Sequence, residues 1–248
     1  MDVAVALFAL APGLAVGSFL NVVAARVPAR RSLVSPPSAC PRCAAPIMWR
    51  DNVPVLSYLV LRGRCRSCRE PIPWKYPLVE AVTAVLVSAC LLRFGVTAQA
   101  AVSSVFCGAL VVVTVTDLER RLIPNRVVLP ASAAVLVAQT ALRPSVQWAA
   151  AGLGSALFLF LAALLYPGGM GMGDVKLALL LGVALGWVAP VALMIGMVSA
   201  LAPAFVILAR HGSAGRKMGI PFGPFLALGG VVALFFGQPL LDAYLRLH

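Results

Sequence analysis

Charge is what this chain has least of. Charged residues make up 11% of the sequence, against roughly 25% in an ordinary soluble domain, and mean hydropathy is +0.97. Apolar runs near the ~20 residues needed to cross a bilayer recur from residue 77 to the end, which excludes a soluble fold. The reading is an all-α, polytopic membrane helical bundle. About eight spans are expected, near 3–25, 77–94, 98–116, 127–142, 146–165, 175–187, 190–209 and 222–238. Basic residues are also missing where a secretory signal peptide needs them: the chain opens "MDVAV", and its arginines follow the first apolar run. An uncleaved first span with its N-terminus outside is therefore expected. No internal repeat stands out.

The positive charge that is present is unevenly placed. Net charge is +12, and all 20 Lys and Arg except Arg93, Arg143 and Arg246 fall in four alternate segments, 26–76, 117–126, 166–176 and 210–221. Arg210, Arg216 and Lys217 supply the last of them. Basic connecting segments stay on the cytoplasmic side, so this bias sets the orientation. It is a topology signal, and a nucleic-acid partner is not expected.

Segment 26–76 is the one substantial soluble stretch, and it carries four of the six cysteines. Cys40 and Cys43 form one C-x-x-C knuckle and Cys65 and Cys68 a second, with residues 44–64 between them, close to zinc-ribbon spacing. Two residues between cysteines let both thiolates face one ion, and two such turns close a tetrahedral site. With no open position, the site would be structural zinc and not catalytic. The alternative is a pair of disulfides, which the reducing cytoplasm disfavours. Cys90 and Cys107 lie in apolar spans and read as small packing residues.

Carboxylates are rarer still, eight in all, so each can be weighed. Asp2 and Asp242 sit at outer ends, while Asp51 and Glu70 are solvated or paired with the arginines of the soluble loop. Glu80, about one turn inside the second span, either pairs with an arginine or helps to bind a polar ligand. Asp117 ends the third span in "VVVTVTDLERRLIPN", where Glu119 reads as a salt-bridging residue. Asp174 follows a glycine-rich turn in "YPGGMGMGDVKLALLLG". By the same topology both aspartates lie at one membrane face. A carboxylate near a membrane is costly and normally has a partner or a task. Two close together cannot both ionise cheaply, so one can act as base and the other as acid, as in an aspartyl protease. Gly171 and Gly173 would permit close backbone approach there. The plainer alternative is that each aspartate only caps a helix.

Taken in order, "GSFLNVVAARVP", the two knuckles, "DNVPVLSYLVLRGRCRSC", "YPLVEA", "TDLERRLIPN" and "GMGDVKL" span nearly the whole chain. Together they resemble the type 4 prepilin peptidase family, the bifunctional leader peptidases/N-methyltransferases of bacterial pilus and type II secretion systems. One local departure is "AARVP", where many members have an aromatic residue before the Arg.

The resemblance implies that Asp117 and Asp174 are the catalytic pair and that Cys40, Cys43, Cys65 and Cys68 are the metal-type cysteines. It implies an inner-membrane enzyme cutting prepilins or pseudopilins after a short basic leader, at the cytoplasmic face. It also implies methylation of the new N-terminal amine by S-adenosylmethionine. The chain has no glycine-rich dinucleotide-type fingerprint, so no residues can be named for that donor. The expected organisation is a first span over 1–25, a four-cysteine, zinc-ribbon-like cytoplasmic module over 26–76, and a membrane peptidase domain over 77–248. Expected partners are the prepilin substrate and membrane lipid. Two rival readings are a G-x-G-D protease that cuts ordinary membrane helices, and a transporter that uses both aspartates for ions. The transporter would place its acidic groups nearer the bilayer midplane.

Overall fold

Helix dominates because the apolar runs must satisfy their own backbone hydrogen bonds. A computed structural model describes residues 3–166, 170–212 and 219–246; Asp2, Arg216 and Lys217 lie outside the described residues. The helices are α1 (Val3–Phe8), α2 (Leu10–Arg26), α3 (Leu56–Val60), α4 (Lys75–Phe94), α5 (Ala98–Arg120) and α6 (Asn125–Leu142). They continue with α7 (Gln147–Leu165), α8 (Met172–Leu185), α9 (Ala189–His211) and α10 (Gly223–Arg246). The chain divides into two compact units, Met1–Val112 and Val113–His248.

Among the described residues, six stretches are long and apolar enough to cross a membrane. One of them, Met172–Arg210, contains both α8 and α9, joined by a 3-10 turn at Gly186–Val188. Leu10–Arg26 is apolar but shorter. These account for the eight expected segments, because hydropathy splits α8 from α9 and joins α1 to α2.

In the first unit, α2 lies along α4. The backbones approach so closely that a Cβ on Gly17 would stand 2.6 Å from Glu80 Cα, and small residues at such a contact are how membrane helices gain packing. Asn21 Nδ2 donates to the Tyr76 carbonyl at 3.1 Å, tying the end of α2 to the start of α4. Cys90 and Cys107 are buried with their sulfurs 3.9 Å apart, in keeping with a packing role.

Segment 27–74 of this unit holds a repeat that the sequence reading passed over. "CPRCAAPIMW" (40–49) and "CRSCREPIPW" (65–74) share C-x-x-C-x-x-P-I-x-W. Both fold alike. The Cys40 N–H donates to the Ala45 carbonyl and the Cys65 N–H to the Glu70 carbonyl, each at 2.9 Å. Ile47 N–H donates to Ser38 and Ile72 N–H to Gly63, and Ala44 and Arg69 both take positive φ.

In the second unit α8 is the centre. It lies against α6, α7 and α10, and Leu177, Leu180 and Leu181 are fully buried. A helix covered on several sides must be apolar all round. Gly182 lets α8 meet the backbone of α7 at Ala151 and Gly152, where a Cβ would clash. This rigid packing fixes the helix whose first turn carries Asp174.

Candidate active site and metal centre

Asp117 and Asp174 both belong to the second unit, and both are buried, 6% and 8% exposed. Helix α5 runs past the expected end at 116, so Asp117 sits inside its last turn and not beyond it. Hydropathy had marked where apolar residues stop, whereas helical hydrogen bonding continues to Arg120. Arg121, at φ 51, ends the helix with its N–H on the Asp117 carbonyl at 2.8 Å.

Asp174 likewise lies within α8, at the third position of its first turn. Its N–H donates to the Gly171 carbonyl at 3.0 Å, and its Oδ2 accepts the Gly171 N–H at 3.1 Å. The aspartate therefore does cap α8, and the helix dipole favours its charge. Capping alone does not explain its burial near a second carboxylate, whose charge acts on it.

Two contacts join the start of α8 to the turn after Asp117. A Cβ on Gly173 would lie 2.9 Å from Ile123 Cβ, so only glycine allows this approach. Lys176 Nζ donates to Asn125 Oδ1 at 3.0 Å. Glu119 is exposed.

Sequence reasoning missed Gly223. This first residue of α10 donates its N–H to Asp117 Oδ2 at 2.8 Å, and a Cβ there would stand 2.8 Å from the same oxygen. A hydrogen bond from a backbone amide to a carboxylate is charge-assisted, and here it fixes the side chain from a third element. The signal was "PFGPF" at 221–225, a glycine between prolines at the opening of an apolar run.

In the first unit the four cysteines of the repeated knuckles meet, with all four sulfurs within 4.8 Å of one another. Cys40 Sγ and Cys68 Sγ are 3.8 Å apart. A tetrahedron with metal–sulfur bonds of about 2.3 Å has edges of about 3.8 Å, so the cluster fits one ion of zinc's size. All six cysteines of the chain are free thiols. The backbone N–H groups of Cys43 and then Arg42 lower the Cys40 thiol to about 6. Cys68 stands at about 12: the Glu70 amide pulls it down, but desolvation and its sulfur neighbours push it up further. Crowded thiolates of this kind are what a divalent cation stabilises.

Asp51 is paired as expected, accepting from Arg66 Nε at 2.8 Å and Nη2 at 2.6 Å. Glu80 is not paired with an arginine. It is 9% exposed, and its Oε2 accepts the Val55 N–H at 2.8 Å.

Residues 12–94 match the Bacterial Peptidase A24 N-terminal domain, and residues 104–209 match the Type IV leader peptidase family. A prepilin leader peptidase/N-methyltransferase of Burkholderia pseudomallei strain 1026b is 38% identical, over 94% of this chain and 85% of that protein. This chain belongs to the type IV leader peptidase family. Relatives of the same name occur in Bacillus subtilis strain 168, 35% identical over 95% of this chain and 96% of that protein, and in Pseudomonas aeruginosa PAO1, 35% identical over 94% and 91%. No solved structure matches the chain. Within this type IV leader peptidase the family match takes in Asp117 and Asp174, and the N-terminal match takes in all four knuckle cysteines. Gly223 lies beyond both matched stretches.

Proposed function

We propose that this protein is a membrane aspartyl endopeptidase that removes the leader of type IV prepilins and pseudopilins, then N-methylates the new N-terminus with S-adenosylmethionine. The observation that carries the reading is the buried pair Asp117 and Asp174, in one compact unit and inside the residues matching the leader peptidase family. The names of the relatives support both activities.

Two neighbouring carboxylates hold one proton between them. The ionised one takes a proton from water, whose oxygen bonds to the scissile carbonyl carbon; the protonated one donates to the carbonyl oxygen. The C–N bond then breaks, and the amine leaves with a proton from the pair. Gly223 would hold Asp117 in place through its N–H, and Gly171 would hold Asp174.

Functionally, 26–76 is a four-cysteine module and 77–248 a peptidase domain, with the aspartate pair inside the second compact unit. Cys40, Cys43, Cys65 and Cys68 would hold a structural zinc, which fits their free thiols and spacing. The basic segments support an inner-membrane placement with the N-terminus outside, and with the cysteine module and aspartates at the cytoplasmic face. A substrate helix could then stay in the bilayer while its charged leader remains in the cytosol. Membrane lipid is the other expected partner. The deciding experiment incubates the purified protein with a prepilin, with and without S-adenosylmethionine, and reads the product by mass spectrometry. Loss of the leader, and a further gain of one methyl group with the donor present, are expected. An intact prepilin would overturn the reading.

A further inference from the structure

The first unit contains a cavity of about 410 Å³ between the end of α2, the two knuckles and the start of α4. Drug-sized ligands occupy cavities of roughly 300–1,000 Å³ that are mostly apolar with a few converging polar groups. This one has that character: Val22 and Ile47 supply apolar wall, Tyr58 and Tyr76 aromatic wall, and Arg26 and Glu80 charge.

The charges are unequal in how they are met. Among the described residues, only two basic ones line the cavity, Arg26 and Arg66. Arg66 is committed to Asp51 in a two-bond ion pair. Arg26 donates from Nη1 to the Ser32 carbonyl at 3.0 Å and from Nη2 to the Pro36 carbonyl at 2.7 Å. Glu80 is more than nine-tenths buried, and among the described residues no basic side chain forms an ion pair with it. Its partners are neutral ones, the Ser18 hydroxyl and, at Oε2, the Val55 amide, itself held at positive φ. A carboxylate in a membrane-spanning helix without a cation normally faces a functional ligand, because burial of the bare charge is costly.

We propose that this cavity binds the methyl donor, S-adenosylmethionine, with Glu80 as the carboxylate that faces its positive charge. The assignment rests on the N-methyltransferase part of the function proposed above. The donor carries a sulfonium and an ammonium for Glu80, a carboxylate for the remaining N–H groups of Arg26, and a flat base for an aromatic wall. When bound, it supplies a methyl group: the unprotonated amine forms an N–C bond as the C–S bond breaks. The electron pair goes to sulfur, and a proton leaves the amine. None of the residues lining the cavity belongs to the 113–248 unit, so the two activities use different side chains.

The test is equilibrium binding of radiolabelled S-adenosylmethionine to the purified full chain in detergent. Glu80→Gln keeps an acceptor for the Val55 N–H but removes the charge; Val22→Trp fills the cavity without touching charge. Both variants should keep the zinc content of wild type and bind the donor at least about tenfold more weakly. Should Glu80→Gln fail to hold metal, Val22→Trp decides alone. Binding at wild-type strength by a zinc-loaded Val22→Trp overturns the cavity assignment, even where wild type methylates a mature pilin. Absence of both binding and methyl transfer in wild type overturns the second activity and this site together.

Discussion

Gly223 and Asp117, 106 residues apart, are joined by a 2.8 Å hydrogen bond from backbone amide to carboxylate. The contact has no room for a side chain, since a Cβ would stand 2.8 Å from the carboxylate oxygen. Gly223→Ala keeps the N–H but must move either α10 or Asp117. A displacement near 1 Å costs about 100-fold in rate when it misaligns a reacting group. Cleavage kinetics should show kcat falling by about that factor, with KM changed little. An unchanged kcat would remove Gly223 from the positioning of Asp117.

Asp117→Asn and Asp174→Asn should each lower leader cleavage by about three orders of magnitude or more, because losing one member of a pair removes a whole role. Glu119, exposed at the end of α5, is the control, and Glu119→Gln should stay near wild type. Gel-resolved prepilin processing measures all three. Near-normal cleavage by either folded Asp variant would sink the pair as the catalytic machinery.

The knuckles should hold about one zinc per chain. Cys40→Ser removes the thiol that its neighbouring amides favour most as thiolate, and should lower metal content and open 40–68 to proteolysis. Chelation of wild type should reproduce this. Elemental analysis finding no metal in an active sample would refute the assignment.

Asp51 and Arg66 give a pH dependence with a definite sign. The Arg66 guanidinium holds Asp51 below the ordinary value of 3.8, so the folded pKa lies beneath the unfolded one. The pair's contribution is then complete above that ordinary value and fades as pH falls through the lowered one. It is modest, because Arg66 is 47% exposed. The protection of 49–66 from protease should exceed that of Asp51→Asn at neutral pH, and the difference should vanish in strong acid. A difference independent of pH would show that the ion pair is not its source.

Asp117→Asn, given an already cleaved pilin, should still methylate the N-terminal amine, while Cys40→Ser should lose methylation at least as much as cleavage. Methyl transfer needs an unprotonated amine and a bound donor, not a carboxylate pair with water. Radiolabel transfer to mature pilin distinguishes the cases, and loss of transfer in Asp117→Asn would mean that one site serves both reactions.

The sequence alone determined the helical membrane class, because apolar run length and charge placement are local properties that the bilayer reads directly. It also marked Asp117, Asp174 and the four cysteines, since rare polar residues in fixed short spacing stand out against an apolar background. The rest needed tertiary structure. Gly223 reaches Asp117 only through the return of α10, and a glycine carries no signal of what it makes room for. Glu80 could have met an arginine or a ligand; the chain path sends Arg26 to two carbonyls and Arg66 to Asp51, so neither of these arginines pairs with it. The knuckle repeat was present in the letters, but its matching hydrogen bonds revealed it. Pairings between distant segments depend on how helices pack in three dimensions, and no local pattern encodes that.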